Sequence, residues 1–460
     1  MGKRDIRITI LGAGISGLAT AHWLHRDGFD VTVLEAEDRP GGSMVSRKDE
    51  GFLVDCGPNS GLDTTPLIRR LVEEVGLEND LIYANDVGGR RYILKRDRLH
   101  PLPTGPGAFL KTGLFSPWAK CRLLAEPFIG KSDDGYYQSI ADFVRRRLGR
   151  EFLDYAINPF VSGVFAGDPE KLSVKSAFPK LYRLEEVYGG LIKGMIKGAR
   201  ERKARRETSK QHAKMFSFSG GMQSFPRAIA DTLGDRVRYG CEVQAVTRSG
   251  NRWRTISRNG DGLHEIESDI VVSAMPAHPT ASVFKGVDPQ LEQHLGAIYY
   301  PPVKLLFLGY RRSDVGRPLD GFGYLIPARE EKSFLGAIWS STLFPGRAPE
   351  NAAAFTLFVG GARSPGLPDA DADALNRAVI SEFSDIMSIQ EPPIFSMEYM
   401  WPRAIPQYTL GYIEHERYFQ RFENDHPGLF LSGNYRGGIA VGDCIIQSDL
   451  VYKKISEIDA

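Results

Sequence analysis

The stretch IRITILGAGISGLATAHWLHRDGFDVTVLE, Ile6 to Glu35, decides the fold. An apolar run, Ile6 to Leu11, passes directly into Gly12, Gly14 and Gly17, and a second apolar run, Val31 to Leu34, ends on an acid, Glu35. Strand, glycine-rich turn, helix and second strand, in that order, open a doubly wound α/β domain that holds a dinucleotide. Gly12 allows the tight turn, Gly14 lets the backbone approach a pyrophosphate, and Gly17 lets the helix pack closely on the sheet. The pyrophosphate is expected at the helix N-terminus, where unpaired N–H groups and the helix dipole favour an anion. Glu35 stands at the usual distance to accept hydrogen bonds from ribose hydroxyls.

Working outward, the chain of 460 residues is long enough for two or three domains. Its 42% hydrophobic and 25% charged residues are globular values, and 58 basic against 57 acidic residues leave a net charge of +1. That balance disfavours a nucleic-acid partner. Cys56, Cys121, Cys241 and Cys444 are far apart and show no metal-ligand spacing; they read as ordinary buried thiols of a reduced compartment, and no metal site is expected. The first residues lead straight into a strand, which argues against a signal or transit peptide. No apolar stretch approaches the roughly 20 residues that span a bilayer, so membrane contact is expected to be peripheral at most.

The segment pattern divides the chain as 1–90, first part of the nucleotide domain; 91–105, a substrate-pocket segment; 106–212, a helical insertion; 213–285, second part of the nucleotide domain; 286–410, a β-rich substrate domain; and 411–460, third part of the nucleotide domain. Helical spacing marks the insertion, including Ile140, Phe143 and Val144. A basic run, Lys193 to Lys214, reads either as a solvated face or as a contact for headgroups and acidic ligands. Strands are expected near Lys304–Gly309, Gly323–Ile326, Leu335–Trp339 and Ala354–Val359, a sheet suited to wall a pocket.

Two further loops carry chemistry. Arg39, Gly41 and Gly42 follow Glu35 closely, either as phosphate contacts or as a plain turn after Pro40. Asp55, Gly57, Pro58, Asn59 and Ser60 form a small-residue loop able to pass beside a flat cofactor ring. These extra glycine loops suggest FAD as the dinucleotide. No second glycine fingerprint follows a strand, so electrons are expected to return to oxygen or a quinone rather than to a nicotinamide. No Ser/His/Asp set or paired-carboxylate spacing competes, and no catalytic acid or base is assigned.

Blocks along nearly the whole chain resemble the porphyrinogen oxidase family, which acts on protoporphyrinogen IX or coproporphyrinogen III: DCGPNSG at 55–61, LHPLPTG at 99–105, GVFAGDPEKLSV at 163–174, FSGGMQSFPRAIA at 218–230, GFGYLIP at 321–327, IPQYTLGY at 405–412 and GGIAVGDCI at 437–445. The resemblance implies a Rossmann-like FAD-binding domain of the amine-oxidase and phenol-hydroxylase type, a mixed β-sheet substrate domain and a helical insertion. It also implies noncovalent FAD, six-electron oxidation of a porphyrinogen with O2 as acceptor giving H2O2, and a role in haem biosynthesis in the cytoplasm. A homodimer, and peripheral contact with the inner face of a membrane, are compatible with it.

Carried over by motif, FAD contacts fall on Gly12, Gly14, Ile15, Ser16, Gly17, Glu35, Ala36, Ser43, Gly57, Pro58, Asn59, Ser60, Val243, Ile439, Ala440 and Val441, with Trp401 as either a contact or core. The family pattern places a propionate-binding arginine at Arg91, although Arg90, Lys95, Arg96 and Arg98 crowd the same segment. Gly163, Phe322, Leu325 and Phe358 would line a flat apolar slot for the macrocycle, or simply belong to the core. An amine oxidase or desaturase of the same fold, and a noncatalytic flavin or haem carrier, are the competing readings.

Overall fold

A computed structural model describes residues 3–205, 213–367 and 370–458. Its nucleotide half is built on a five-stranded parallel sheet in the order Val237–Arg238, Asp30–Leu34, Arg7–Leu11, Ile270–Ser273, Leu429–Leu431. The first strand is central and covered on both faces, which is why its residues form a continuous apolar run. Ile8, Ile10, Val31 and Val33 pack on one side against helices Ile15–Arg26, Ser224–Leu233 and Val441–Ile458. Leu11, Leu34, Val271 and Leu429 pack on the other against Ala277–Phe284, Pro289–Gly296 and Tyr412–Asp425. The doubly wound expectation from the glycine turn is borne out.

The substrate half is a seven-stranded mixed sheet, ordered Phe395–Trp401, Val303–Arg311, Ala352–Gly360, Gly336–Ile338, Gly323–Leu325, Arg91–Lys95, Arg98–Pro101. Within 91–105, read from the sequence as a pocket segment, Arg91–Lys95 and Arg98–Pro101 are strands of this sheet. One face carries Leu94, Leu306, Leu308, Tyr324, Phe355 and Leu357 into a core with helix Ala372–Met387. That helix lies inside the region read as mostly β; Asp371 caps it by accepting from the N–H groups of Asp373 and Ala374.

The insertion is helical, with its own core around Phe115, Phe143, Phe152 and Tyr182. At its centre Arg147, Glu126 and Glu185 are almost completely buried. Arg147 donates Nη1 to Glu126 Oε1 at 2.8 Å and Nε to Glu185, and Arg146 donates Nη2 to Glu185 Oε2 at 2.9 Å. Glu126 also accepts from the N–H groups of Leu191, at 2.7 Å, and Ile192, at 3.1 Å, and so caps the helix Leu191–Arg205. That helix carries the start of the basic run; Arg206 and Lys210 lie outside the described residues.

All four cysteines are free. Cys56, Cys241 and Cys444 are buried, but Cys121 is exposed, against the expectation of four buried thiols. It sits on the short helix Pro117–Leu124, of which only Ala119 is buried, so most of its residues face out whatever their polarity. No described helix is long and apolar enough to cross a membrane.

Candidate functional site: a dinucleotide cradle beside an apolar sheet face

Each glycine of the first turn meets a different steric demand. A Cβ on Gly17 would lie 2.0 Å from the Gly12 carbonyl oxygen, so helix Ile15–Arg26 can approach the strand only without a side chain there. A Cβ on Gly14, by contrast, would meet nothing within 4 Å, leaving open space over the turn. No side chain caps the helix and its first turn holds no acid, so its positive end is left for an anion. The second loop docks against this turn: Gly41 donates its N–H to Ala13 O at 2.8 Å, and Gly41 and Gly14 form a β-bridge.

Glu35 is 9% exposed. Its carboxylate accepts from Ala13 N at 2.7 Å and Glu37 N at 3.0 Å, one bond on each oxygen, which fixes it and leaves acceptor capacity for hydroxyls. Ala36 follows, exposed. Arg39 is turned to its neighbours, with Nη2 2.5 Å from Glu37 Oε2 and Nη1 donating to Gly42 O at 3.4 Å. Val243 lies at the start of strand Glu242–Ser249 and is brought alongside by the Cys241 N–H, which donates to Glu35 O at 2.7 Å. An open glycine turn at an uncapped helix end, beside an anchored carboxylate, fits the pyrophosphate and ribose of a dinucleotide.

The remaining cofactor candidates gather where the nucleotide half meets the seven-stranded sheet. A Cβ on Gly57 would stand 1.8 Å from Ser43 O, so these two loops are in contact. Pro58, Asn59 and Ser60 continue this loop half-buried, and Asn59 Nδ2 reaches Thr356 Oγ1 of the sheet at 3.5 Å. Trp401 donates its indole N–H to Cys56 O at 2.7 Å, tying the edge strand to the same loop. Ile439 and Ala440 lead into Val441 at the start of the last helix, which Ser448 Oγ fastens to Ser16 O at 2.9 Å.

Sheet register unites the substrate candidates. Cross-strand partners share a face, and the row Ile93, Leu325, Gly336, Phe358, Leu305, Tyr399 runs across six strands on the face opposite the helix-packed core. Arg91 occupies the neighbouring row through Gly323, Ile338 and Thr356, on that same face. Gly163 comes from helix Asn158–Phe165; a Cβ there would be 2.6 Å from Leu325 Cδ2. Phe322 sits beside Arg91, whose guanidinium carbon lies 5.1 Å from the ring centre.

The crowded cations of this segment differ in their partners. Arg90 pairs with Asp320, and Lys95 Nζ lies 3.5 Å from Glu151 Oε1. Arg91 has no ion-pair partner among the described residues. It is open to solvent, yet burial lowers its pKa. Those two observations agree for a group on the wall of a recess, reached by water but surrounded by protein. A separate groove of about 480 Å³, lined by residues including Asn85, Arg312, Ser341 and Arg347, contains none of the sequence-predicted site residues.

Sequence reasoning overlooked two residues at this junction, Thr356 and Arg347, and did not pair Asp55 with the second. Thr356 is buried and ties Asn59 to the sheet. Asp55 and Arg347, both almost fully buried, pair at 3.2 Å between the two halves. Burial is the main influence on both, raising the Asp55 pKa and lowering that of Arg347. Asp55 stood in a quoted block, but nothing in the sequence marks Arg347 as its partner.

A family profile for flavin containing amine oxidoreductases matches residues 15–448. Protoporphyrinogen oxidase 2 of Arabidopsis thaliana is 34% identical over 95% of this chain and 91% of its own length. Coproporphyrinogen III oxidase of Bacillus subtilis is 28% identical over 97% and 96%. The crystal structure of a candidate protoporphyrinogen oxidase from Exiguobacterium sp. 255-15 superposes with TM-score 0.81 at 23% identity, over the whole of both chains, and speaks for the fold alone. With its dinucleotide cradle and a profile match across most of its length, the chain belongs to the flavin-containing amine oxidoreductases, and its cofactor is FAD.

Proposed function

We propose that the chain oxidises a porphyrinogen to the porphyrin in haem biosynthesis, with protoporphyrinogen IX as substrate and O2 as acceptor. The observation that carries this reading is Arg91, a guanidinium without a carboxylate partner among the described residues, on the same sheet face as Leu325 and Phe358. A flat, greasy tetrapyrrole with propionate arms presents the complementary surfaces. Relatives named for protoporphyrinogen and for coproporphyrinogen III oxidation support the substrate class.

Bound FAD supplies a two-electron acceptor, so six electrons require three turns and three O2, giving three H2O2. The chain's own part is positioning. Gly12 to Gly17 and Glu35 would hold the dinucleotide, while Gly57 to Ser60 and Ile439 to Val441 would flank its ring. Arg91 would fix one propionate in a bidentate pair that lysine cannot reproduce. Gly163, Phe322, Leu325 and Phe358 would exclude water from the macrocycle.

Anaerobic mixing with each porphyrinogen tests the reading: flavin absorbance should bleach and return in air with peroxide. A yellow protein whose flavin neither porphyrinogen reduces would overturn it. Arg91→Ala should raise KM at least tenfold with unchanged FAD content; lost FAD with unaltered KM would remove Arg91 from substrate binding.

We also infer peripheral contact with the inner face of a membrane, the rest of the molecule standing in the cytoplasm. Leu110, Trp118, Leu124 and Phe128 of the insertion are 69–88% exposed, and Lys193 and Lys197 are exposed on helix Leu191–Arg205. Apolar side chains beside cations suit an anionic bilayer surface. Co-sedimentation with anionic vesicles should weaken at high salt; no sedimentation at low salt refutes the contact. Light scattering on the same preparation tests the homodimer.

A further inference from the structure

Three arginines have their pKa lowered by burial: Arg91, Arg347 and Arg363. Arg347 has its carboxylate, Asp55. Arg91 is the anchor already assigned, and Arg363 is left over. It stands just beyond the strand Ala352–Gly360, after the pair Gly360 and Gly361. Nη1 donates to Asn158 Oδ1 at 3.2 Å and Nη2 to Ser162 Oγ at 2.7 Å, both uncharged. No carboxylate among the described residues lies within ion-pairing distance. Asp168 acts on it from farther off and is itself engaged with the Glu170 N–H at 3.0 Å. A screened guanidinium without a counterion is costly, and an arriving anion relieves that cost.

The surroundings of Arg363 belong to the slot. Ser162 neighbours Gly163, which packs on Leu325, and Phe358 lies on the strand that leads to Arg363. Helix Asn158–Phe165 is bracketed by a π-helical turn, Leu153–Ile157, and by Ala166 in a left-handed conformation at φ +48°. Such irregularities recur where a helix must aim particular side chains.

Arg91 and the strand that leads to Arg363 are well separated. Three strand spacings separate their strands, and the row of Arg91 crosses at Thr356, four residues before Gly360. Standard strand spacing and rise then place the Arg91 backbone roughly 20 Å from Gly360, where the strand that leads to Arg363 ends.

We propose that Arg363 binds a second carboxylate of the tetrapyrrole, on the edge away from Arg91, and thereby lets the slot accept coproporphyrinogen III as well as protoporphyrinogen IX. This rests on the porphyrinogen reading above. Protoporphyrinogen IX carries two propionates and coproporphyrinogen III four, so only the latter brings acids to the far edge as well. Without Arg363, those acids would meet only the uncharged Asn158 and Ser162 there.

The test compares KM and kcat of the FAD-loaded enzyme and its variants on both substrates. Arg363→Gln should raise KM for coproporphyrinogen III at least tenfold, with kcat within twofold, and leave KM for protoporphyrinogen IX within twofold. Arg363→Lys should fall between. Ser162→Ala removes the bond from the helix but keeps the charge, and should leave the preference intact. An equal loss on both substrates, a loss that Ser162→Ala reproduces, or an unchanged KM for coproporphyrinogen III overturns the proposal. Wild-type flavin that neither porphyrinogen reduces would instead sink the underlying reading.

Discussion

Around the five-stranded parallel sheet, close packing depends on what glycine lacks: a Cβ on Gly17 would lie 2.0 Å from the Gly12 oxygen, and one on Gly57 1.8 Å from Ser43 O. The helical insertion instead buries charge, closing around Arg147, Glu126 and Glu185 with every carboxylate matched to a guanidinium or a backbone N–H. The first device is local in sequence and sets backbone approach. The second joins residues from three separate segments and sets which helix faces which. Failure should therefore differ in kind between the regions, one losing its ligand and the other its fold.

The largest expected effect is Gly17→Val, which puts a side chain against a backbone oxygen; the purified protein should be colourless, as read by flavin absorbance. Retained stoichiometric FAD would contradict the steric argument. Next, Glu126→Gln leaves Arg147 short of a charge and should cost about 3–5 kcal/mol. Hydrogen exchange resolved by segment should show the loss in the insertion, with the parallel sheet still protected.

Acid should separate the regions without mutation. His22 is buried between Glu74 and Thr232, at 3.2 and 3.3 Å, and burial is the main reason that its pKa lies below 6.5, opposed by Glu74 and reinforced by Arg26 and His25. The unfolded chain then binds a proton more readily, so stability from this group is full above 6.5 and falls as pH drops through its folded value. His294 and His415, on helices packed across the same sheet, are lowered in the same sense, again mainly by burial. Residues 106–205 contain no histidine. There Glu185 is lowered from 4.5: burial opposes the charge, but the Ser132 N–H, Arg147 and Arg146 outweigh it. Its contribution is present above 4.5 and lost as pH falls through the folded value. The nucleotide half should thus loosen below pH 6.5 while the insertion holds until below 4.5; exchange at pH 7.5, 5.5 and 4 checks the order. The smallest effect is Trp401→Phe, which removes one hydrogen bond to Cys56 O and should cost about 1 kcal/mol in urea unfolding.

What the sequence made legible follows the same division. Gly12, Gly14, Gly17 and Glu35 announce themselves because their spacing is imposed by a turn, a helix start and a strand end within one short stretch. Arg91 and Phe358 could be named by resemblance, but their common face comes from the register of four strands, which no local pattern encodes. Asp55 with Arg347, and Glu126 with Arg147, escaped notice for a related reason. Charge pairing has no period, so a buried partner looks like any surface residue. Cys121 fails in the other direction, since a short helix with one buried residue exposes even an apolar thiol.

The strand Leu429–Leu431 completes the edge of the parallel sheet, and helix Val441–Ile458 lies on Ile15–Arg26 through the Ser448 bond. The segment that signals the cofactor thus precedes in synthesis the pieces that finish its shelter. During synthesis the insertion can collapse around its own ions well before the nucleotide half can close. Flavin loading should therefore wait for Leu429–Leu431 and Val441–Ile458, and a nascent chain stalled before them should display a folded helical lobe with an open sheet.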